Sequence, residues 1–164
     1  MNRTPIQNTK KTRSGFTLIE LVIALSIAAI LVSIAVPSFS DMIQNNRLTS
    51  QTNQFIAALT YARSEAIKRS AAIDVTATSP SSANEWGSGL SVQVNGGAVL
   101  KVFSALDGST LNSTGNNSAF QYLANGRATI TDTFDLCDGR SGETGRRISI
   151  STTGRASTAD LACS

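Results

Sequence analysis

The chain is 164 residues long, 41% apolar and 5% aromatic, with a formal net charge of +3 and no histidine. That length suits one domain with an appendage, and the missing histidine removes the commonest general base and metal ligand. The charge does not describe the body of the chain: Arg3, Lys10, Lys11 and Arg13 all stand in residues 1–15, which hold no acid, and the rest carries ten basic against eleven acidic side chains. A nucleic-acid role argued from overall basicity is therefore excluded.

The N-terminal 15 residues are polar and basic. Residues 21–40 then form an uninterrupted run of 20 uncharged side chains. A helix of that length spans about 30 Å, the hydrocarbon thickness of a bilayer. Lys10, Lys11 and Arg13 should hold the leader on the cytoplasmic side, so the body is exported. A cleaved secretory signal is the alternative, with Ser33-Ile34-Ala35 as its small-x-small triplet. Against it, the run is longer than an ordinary signal core, and Glu20 sits near its start. A carboxylate costs roughly 2.5–3.5 kcal/mol at a membrane helix centre and less near an end.

Beyond Pro37 the apolar density falls but the period stays helical. Leu48, Thr52, Phe55, Leu59, Ala62 and Ala66 make one stripe, which Phe39, Ile43, Ile56 and Ile67 widen. Arg47, Arg63, Lys68 and Arg69 fall on other faces, and Glu65 precedes Arg69 by one helical turn in the favourable order. Pro37 lacks an N–H and is expected to kink the helix. One rod over residues 18–70 would run about 80 Å.

From residue 73 the period becomes two. Ile73, Val75 and Ala77 alternate with polar residues as in a strand. Residues 79–84 read as a polar loop, 90–94 and 98–103 as a hairpin across Asn95-Gly96-Gly97. Residues 107–117 read as loop. Strands are expected at 120–123 and 128–130 around Asn125-Gly126, then at 134–137 and 147–151, with a short terminal segment after Thr153-Gly154. The head is thus an antiparallel sheet of six or seven short strands facing the helix.

Cys137 and Cys163 are an even pair in an exported chain and so are expected to form a disulfide, two free thiols being the alternative. Asp132, Asp135 and Asp138 are spaced by three, unlike a calcium loop. No cofactor, metal or catalytic set is expected. Arg140, Arg146, Arg147 and Arg155 cluster in sequence and are candidate contacts for the phosphates of double-stranded DNA. Residues 127–164 also hold five acids, so that role requires the fold to segregate the charges.

Gly15-Phe16-Thr17-Leu18-Ile19-Glu20 resembles the prepilin-peptidase site of type IV pilins and type II secretion pseudopilins. The resemblance implies cleavage between Gly15 and Phe16, N-methylation of Phe16, and a helix-bending role for Pro37. It also implies that Glu20 pairs with the Phe16 amine of a neighbouring subunit and so sets the stagger of a filament. Residues 61–69, the Trp86-Gly87-Ser88-Gly89 element and Gly154-Arg155 are similar to the GspH/FimT group of minor pilins and pseudopilins. The implied fold is α+β and type IV pilin-like, with a long N-terminal helix packed on an antiparallel β-sheet head. Its parts are a leader (1–15), a transmembrane segment (16–40), an amphipathic helical segment (41–70) and a β-rich periplasmic or extracellular head (71–164).

The implied role is not enzymatic. It is a minor pilin that primes or tips a type IV pilus, anchored in the bacterial inner membrane. Its partners are other minor and major pilins and prepilin peptidase. A DNA-uptake pilin and a type II secretion pseudopilin are the alternatives. DNA receptors of the group carry Gly-Arg-x-Arg, whereas Ser157 stands here in place of the second arginine.

Overall fold

The computed structural model describes residues 15–80, 84–140, 142 and 144–163; the expected leader, up to residue 14, lies outside the described residues. Among the described residues one helix, α1 (Leu18–Arg69), precedes eight strands: β1 (Ile73–Ala77), β2 (Leu90–Val94), β3 (Val99–Phe103), β4 (Ser109–Ser113), β5 (Ala119–Tyr122), β6 (Asp132–Asp138), β7 (Thr144–Ile150) and β8 (Ala156–Ala162). The chain divides into two compact units after Asp41.

In the first unit the apolar side chains of α1 are all exposed, from Leu18 through Phe39. By length and composition α1 is able to cross a membrane. Its serines are satisfied within the helix: Ser26 Oγ donates to the Val22 carbonyl at 2.8 Å and Ser33 Oγ to the Ile30 carbonyl at 2.7 Å. That arrangement suits lipid, where water offers no alternative partner. The helix assignment runs through Pro37 without a break.

In the second unit the expected stripe is buried, with Leu48, Phe55, Leu59, Ala62 and Ala66 each at most 3% exposed. The stripe is narrower than expected. Ile43 and Ile67 are more than half exposed, because the face that meets the sheets follows the 48-52-55-59 line; Phe39, in the first unit, is exposed as well. The helix ends in a Schellman motif: Ala71 N–H donates to the Ala66 carbonyl and Ser70 N–H to the Ile67 carbonyl, with Ser70 in the left-handed region at φ 51°.

The strands form two four-stranded antiparallel sheets, ordered β3-β2-β1-β5 and β4-β6-β7-β8, rather than the single sheet expected. Both contribute to one core with the helix stripe. At its centre Phe55 of α1 meets Trp86 and Phe134, with ring centroids 5.9 and 5.1 Å away, and Phe120 of β5 meets Trp86 at 5.9 Å. Trp86 Nε1 donates to the Asn117 carbonyl at 2.7 Å, so its polar atom is met inside the core.

The segment expected to be loop at 107–117 contains β4. Its inward positions are Ser109, Leu111 and Ser113, so an apolar period was invisible. Ser113 is met inside the core, its Oγ donating to Asp132 at 2.6 Å, whereas the Ser109 hydroxyl is buried with no hydrogen-bond partner among the described residues. Asn84 supplies what a neighbouring strand would, accepting from Leu111 N–H at 2.7 Å and donating to the Ser109 carbonyl at 3.2 Å. The strand expected at 128–130 is only a single bridge between Tyr122 and Ala128. The terminal segment is a seven-residue strand, β8.

Candidate functional site

At the start of α1, Thr17 and Glu20 face each other one turn apart. Glu20 N–H donates to Thr17 Oγ1 at 3.3 Å, and Thr17 N–H and Oγ1–H both approach Glu20 Oε2 at 3.5 Å. This is a capping box, which satisfies helix-end donors that lipid would leave bare. The capping role of Thr17 adds to the processing motif it belongs to, and Thr-x-x-Glu ahead of an apolar run is its signature in the sequence. The bonds to the carboxylate are long, and Oε1 has no partner among the described residues. Glu20 thus keeps acceptor capacity for a cation. Phe16 is 85% exposed beside it.

The four candidate arginines do not form one patch. Arg147 and Asp135 are directly opposed on β7 and β6, and Arg146 and Asp160 on β7 and β8. Arg147 donates twice to Asp135, at 2.7 Å each, and Arg146 pairs with Asp160 at 2.9 Å. As neighbours on one strand, the two arginines point to opposite faces. Arg140, just past β6, pairs with Asp138 at 2.8 Å and reaches Asn45 of α1 at 2.9 Å. Its hydrogen bond holds the Asp138 carboxyl below the ordinary carboxylate range against the opposing effect of burial. Arg155 lies in the β7–β8 turn, about 14 Å along the strands from Arg147, which is level with Ala159. It is exposed and makes no ion pair among the described residues.

Cys137 and Cys163 are joined in a disulfide with Cα atoms 5.9 Å apart, closing a separation of 26 residues. The bridge ties the chain after β8 to β6, across the intervening β7. Gly145 lies beneath it, and a Cβ there would collide with Cys163 Sγ and approach the Leu136 carbonyl to 2.5 Å.

A leader junction, an apolar helix with a carboxylate in its first turn, and a two-sheet disulfide-bonded head now stand together. The profile of the family described as Type II transport protein GspH matches residues 51–154. The chain belongs to the GspH family of type IV minor pilins and pseudopilins. The prokaryotic N-terminal methylation motif matches residues 10–36 of this GspH-family chain, spanning Gly15, Phe16 and Glu20. Two crystal structures of the type IV minor pilin FimU from Pseudomonas aeruginosa strain PAO1 are similar to it, each at 28% identity. The first has a TM-score of 0.60 over 70% of this chain and 89% of FimU; the second has 0.58 over 68% and 91%. Comparison with curated proteins finds no match. The α+β, pilin-like fold is thereby established, and the family is structural rather than enzymatic.

Proposed function

We propose that this chain is a minor pilin of a type IV pilus. Prepilin peptidase cuts it between Gly15 and Phe16, and Phe16 is then methylated. It waits in the inner membrane with its head in the periplasm, then joins other pilins to prime or tip the filament. The observation that carries this reading is the first turn of α1, where Glu20 stands in an otherwise uncharged apolar span beside Phe16 with a carboxylate oxygen that has no partner among the described residues. Cleavage creates an amine at Phe16, and an intramembrane carboxylate calls for such a cation. Likeness to FimU, a type IV minor pilin, supports a pilus.

The test is Glu20→Ala in cells. Membrane insertion should stay intact while the amount recovered in sheared filaments falls. Normal recovery would overturn the pairing role. The family description favours one further reading, a type II secretion pseudopilin. Deletion separates the two, since loss of surface pili marks a pilin and loss of exoprotein release marks a pseudopilin. A DNA-uptake role is less supported, because Arg140, Arg146 and Arg147 each face an aspartate.

A further inference from the structure

The edge strand of a sheet presents a row of backbone N–H and C=O groups with no strand to meet them, and proteins protect such rows with loops, bulges or charged side chains. Three of the four edges of the two sheets are protected in this way. β4 faces residues 84–87: Asn84 Oδ1 accepts from Leu111 N–H at 2.7 Å, and the Trp86 and Gly87 N–H groups both donate to the Leu111 carbonyl at 3.1 Å. β5 faces residues 127–129, where Thr129 N–H donates to the Gln121 carbonyl at 2.9 Å and the Arg127 carbonyl accepts from Leu123 N–H at 2.8 Å. β3 is only five residues long, its register against β2 shifts between Val92 and Gln93, and it carries Lys101. A bulge and a lysine both discourage a further strand.

β8 has none of these devices. It runs seven residues in unbroken register with β7 and holds no lysine, arginine or proline. Its one charge, Asp160, is tied to Arg146 at 2.9 Å. The turn sets the phase of its outer row. Ser151 N–H donates to the Arg155 carbonyl at 3.0 Å, so Ser157, Ala159 and Leu161 bond inward to β7, while Ala156, Thr158, Asp160 and Ala162 turn their backbone groups outward. Those outward groups have no partner among the described residues. None of the side chains of β8 is buried, yet its end is fixed covalently, because Cys163 directly follows it and is bonded to Cys137 of β6. A strand ordered in advance lowers the entropic cost of adding another to it.

We propose that this edge binds a second copy of the chain, β8 against β8, antiparallel about Ala159. Self-complementarity selects the occupant. Residues with outward backbone groups must meet their like, and the one register that overlaps all seven residues, with Ala159 opposite Ala159, satisfies that condition. It sets Ala156 opposite Ala162 and Thr158 opposite Asp160, so each carboxylate faces a hydroxyl donor and no like charges oppose each other. A shift by two residues would either set Asp160 against Asp160, which is destabilising, or shorten the ladder at its other end. The two β4-β6-β7-β8 sheets would then join at their β8 edges into one continuous sheet. This pairing goes beyond the filament reading and does not depend on it.

The test is amide hydrogen exchange, followed by NMR, on the full-length chain in detergent micelles at a low and a high protein concentration. The Ala159 amide, bonded to β7, should be protected at both. The outward Asp160 amide should exchange freely at the low concentration and about tenfold more slowly at the high one. In a mixture of isotope-labelled and unlabelled copies, filtered NOEs should connect Ala159 to Ala159. Thr158→Pro removes an outward N–H and leaves the β7–β8 ladder intact, so Tm should hold while the gain in Asp160 protection disappears. Thr158→Asp, which keeps the backbone donor but sets carboxylate against carboxylate, should abolish the gain as well. Asp160 exchange that does not depend on concentration overturns the proposal. So does a gain that persists in either folded variant, which would place the association elsewhere on the chain. Protection that appears only after a different pilin subunit is added gives the edge to that partner and overturns self-pairing.

Discussion

Arg147 and Asp135 face each other across β7 and β6 as a fork, with Nε and Nη2 each 2.7 Å from a different carboxylate oxygen. Such a bidentate pair fixes both side chains and directs the guanidinium toward a carboxylate already in the protein. The bond holds Arg147 above its ordinary range. A phosphate would have to displace that partner.

This gives the first prediction. In a gel shift of the full chain with duplex DNA at two salt concentrations, Arg147→Gln should leave any binding unchanged. Its effect should instead be a small fall in thermal midpoint. Arg155→Gln is the substitution expected to weaken binding, lowering the salt slope by about 0.9 for each phosphate contact removed. A shallower slope in Arg147→Gln would mean that the fork opens on DNA.

The second concerns the disulfide between Cys137 and Cys163. A closed separation of 26 residues stabilises by roughly 3–4 kcal/mol in the chain-entropy account. Replacing both cysteines by serine should lower Tm by on the order of 10 °C. Gly145→Ala should interfere with the bridge, because the added methyl meets Cys163 Sγ. Free-thiol titration of that variant should show more reactive sulfur than the parent. An unchanged Tm in the double serine variant would deny the bridge a structural role.

The third concerns the aromatic centre. Phe134 is 0% exposed and its ring packs against both Phe55 and Trp86. Phe134→Ala should destabilise the head by about 3–5 kcal/mol, measured by denaturant unfolding. The loss uncouples the second sheet from the helix stripe, so the unfolding transition should also broaden. A loss below about 1 kcal/mol would mean that the cavity refills at little cost.

The fourth concerns pH, and the two ends of the scale act through different groups. Asp138 is held below its ordinary value of 3.8, chiefly by the Arg140 hydrogen bond, and Glu65 below 4.5, chiefly by the Arg69 hydrogen bond. Their contribution is full above those unfolded values. It is lost as pH falls through the lower folded ones, because the unfolded chain takes up protons first. Tyr122 runs the other way, from 10.0 up to about 12 by burial. Stability should therefore decline as pH rises from 10 toward 12, where the unfolded phenol ionises before the folded one. Tyr122→Phe should flatten the alkaline limb and leave the acid limb unchanged. Equal alkaline loss in that variant would assign the effect elsewhere.

Local features were readable from the chain alone. The apolar run, Glu20 and the 48-52-55-59 stripe are patterns of near neighbours, and helical periodicity follows from them directly. The same holds for the turns at Asn95-Gly96-Gly97 and Asn125-Gly126, where Gly96 and Gly126 do take positive φ. β4 was hidden because its inward serines are polar, and its place in the fold depends on Asp132 meeting Ser113 and Asn84 meeting the β4 backbone from elsewhere in the chain.

What the sequence determined by itself was therefore the family, the helix and the strand-rich character of the head, since each rests on short-range pattern. The tertiary structure decided the fate of the charges. Arg147 meets Asp135 and Arg146 meets Asp160 only through strand register, and a one-residue slip would turn every side chain to the other face. Arg63 meets the carbonyls of Gly126 and Thr153 from 63 and 90 residues away. No local pattern encodes contacts of that separation. They exist because packing the helix stripe against two sheets brings distant turns to one place.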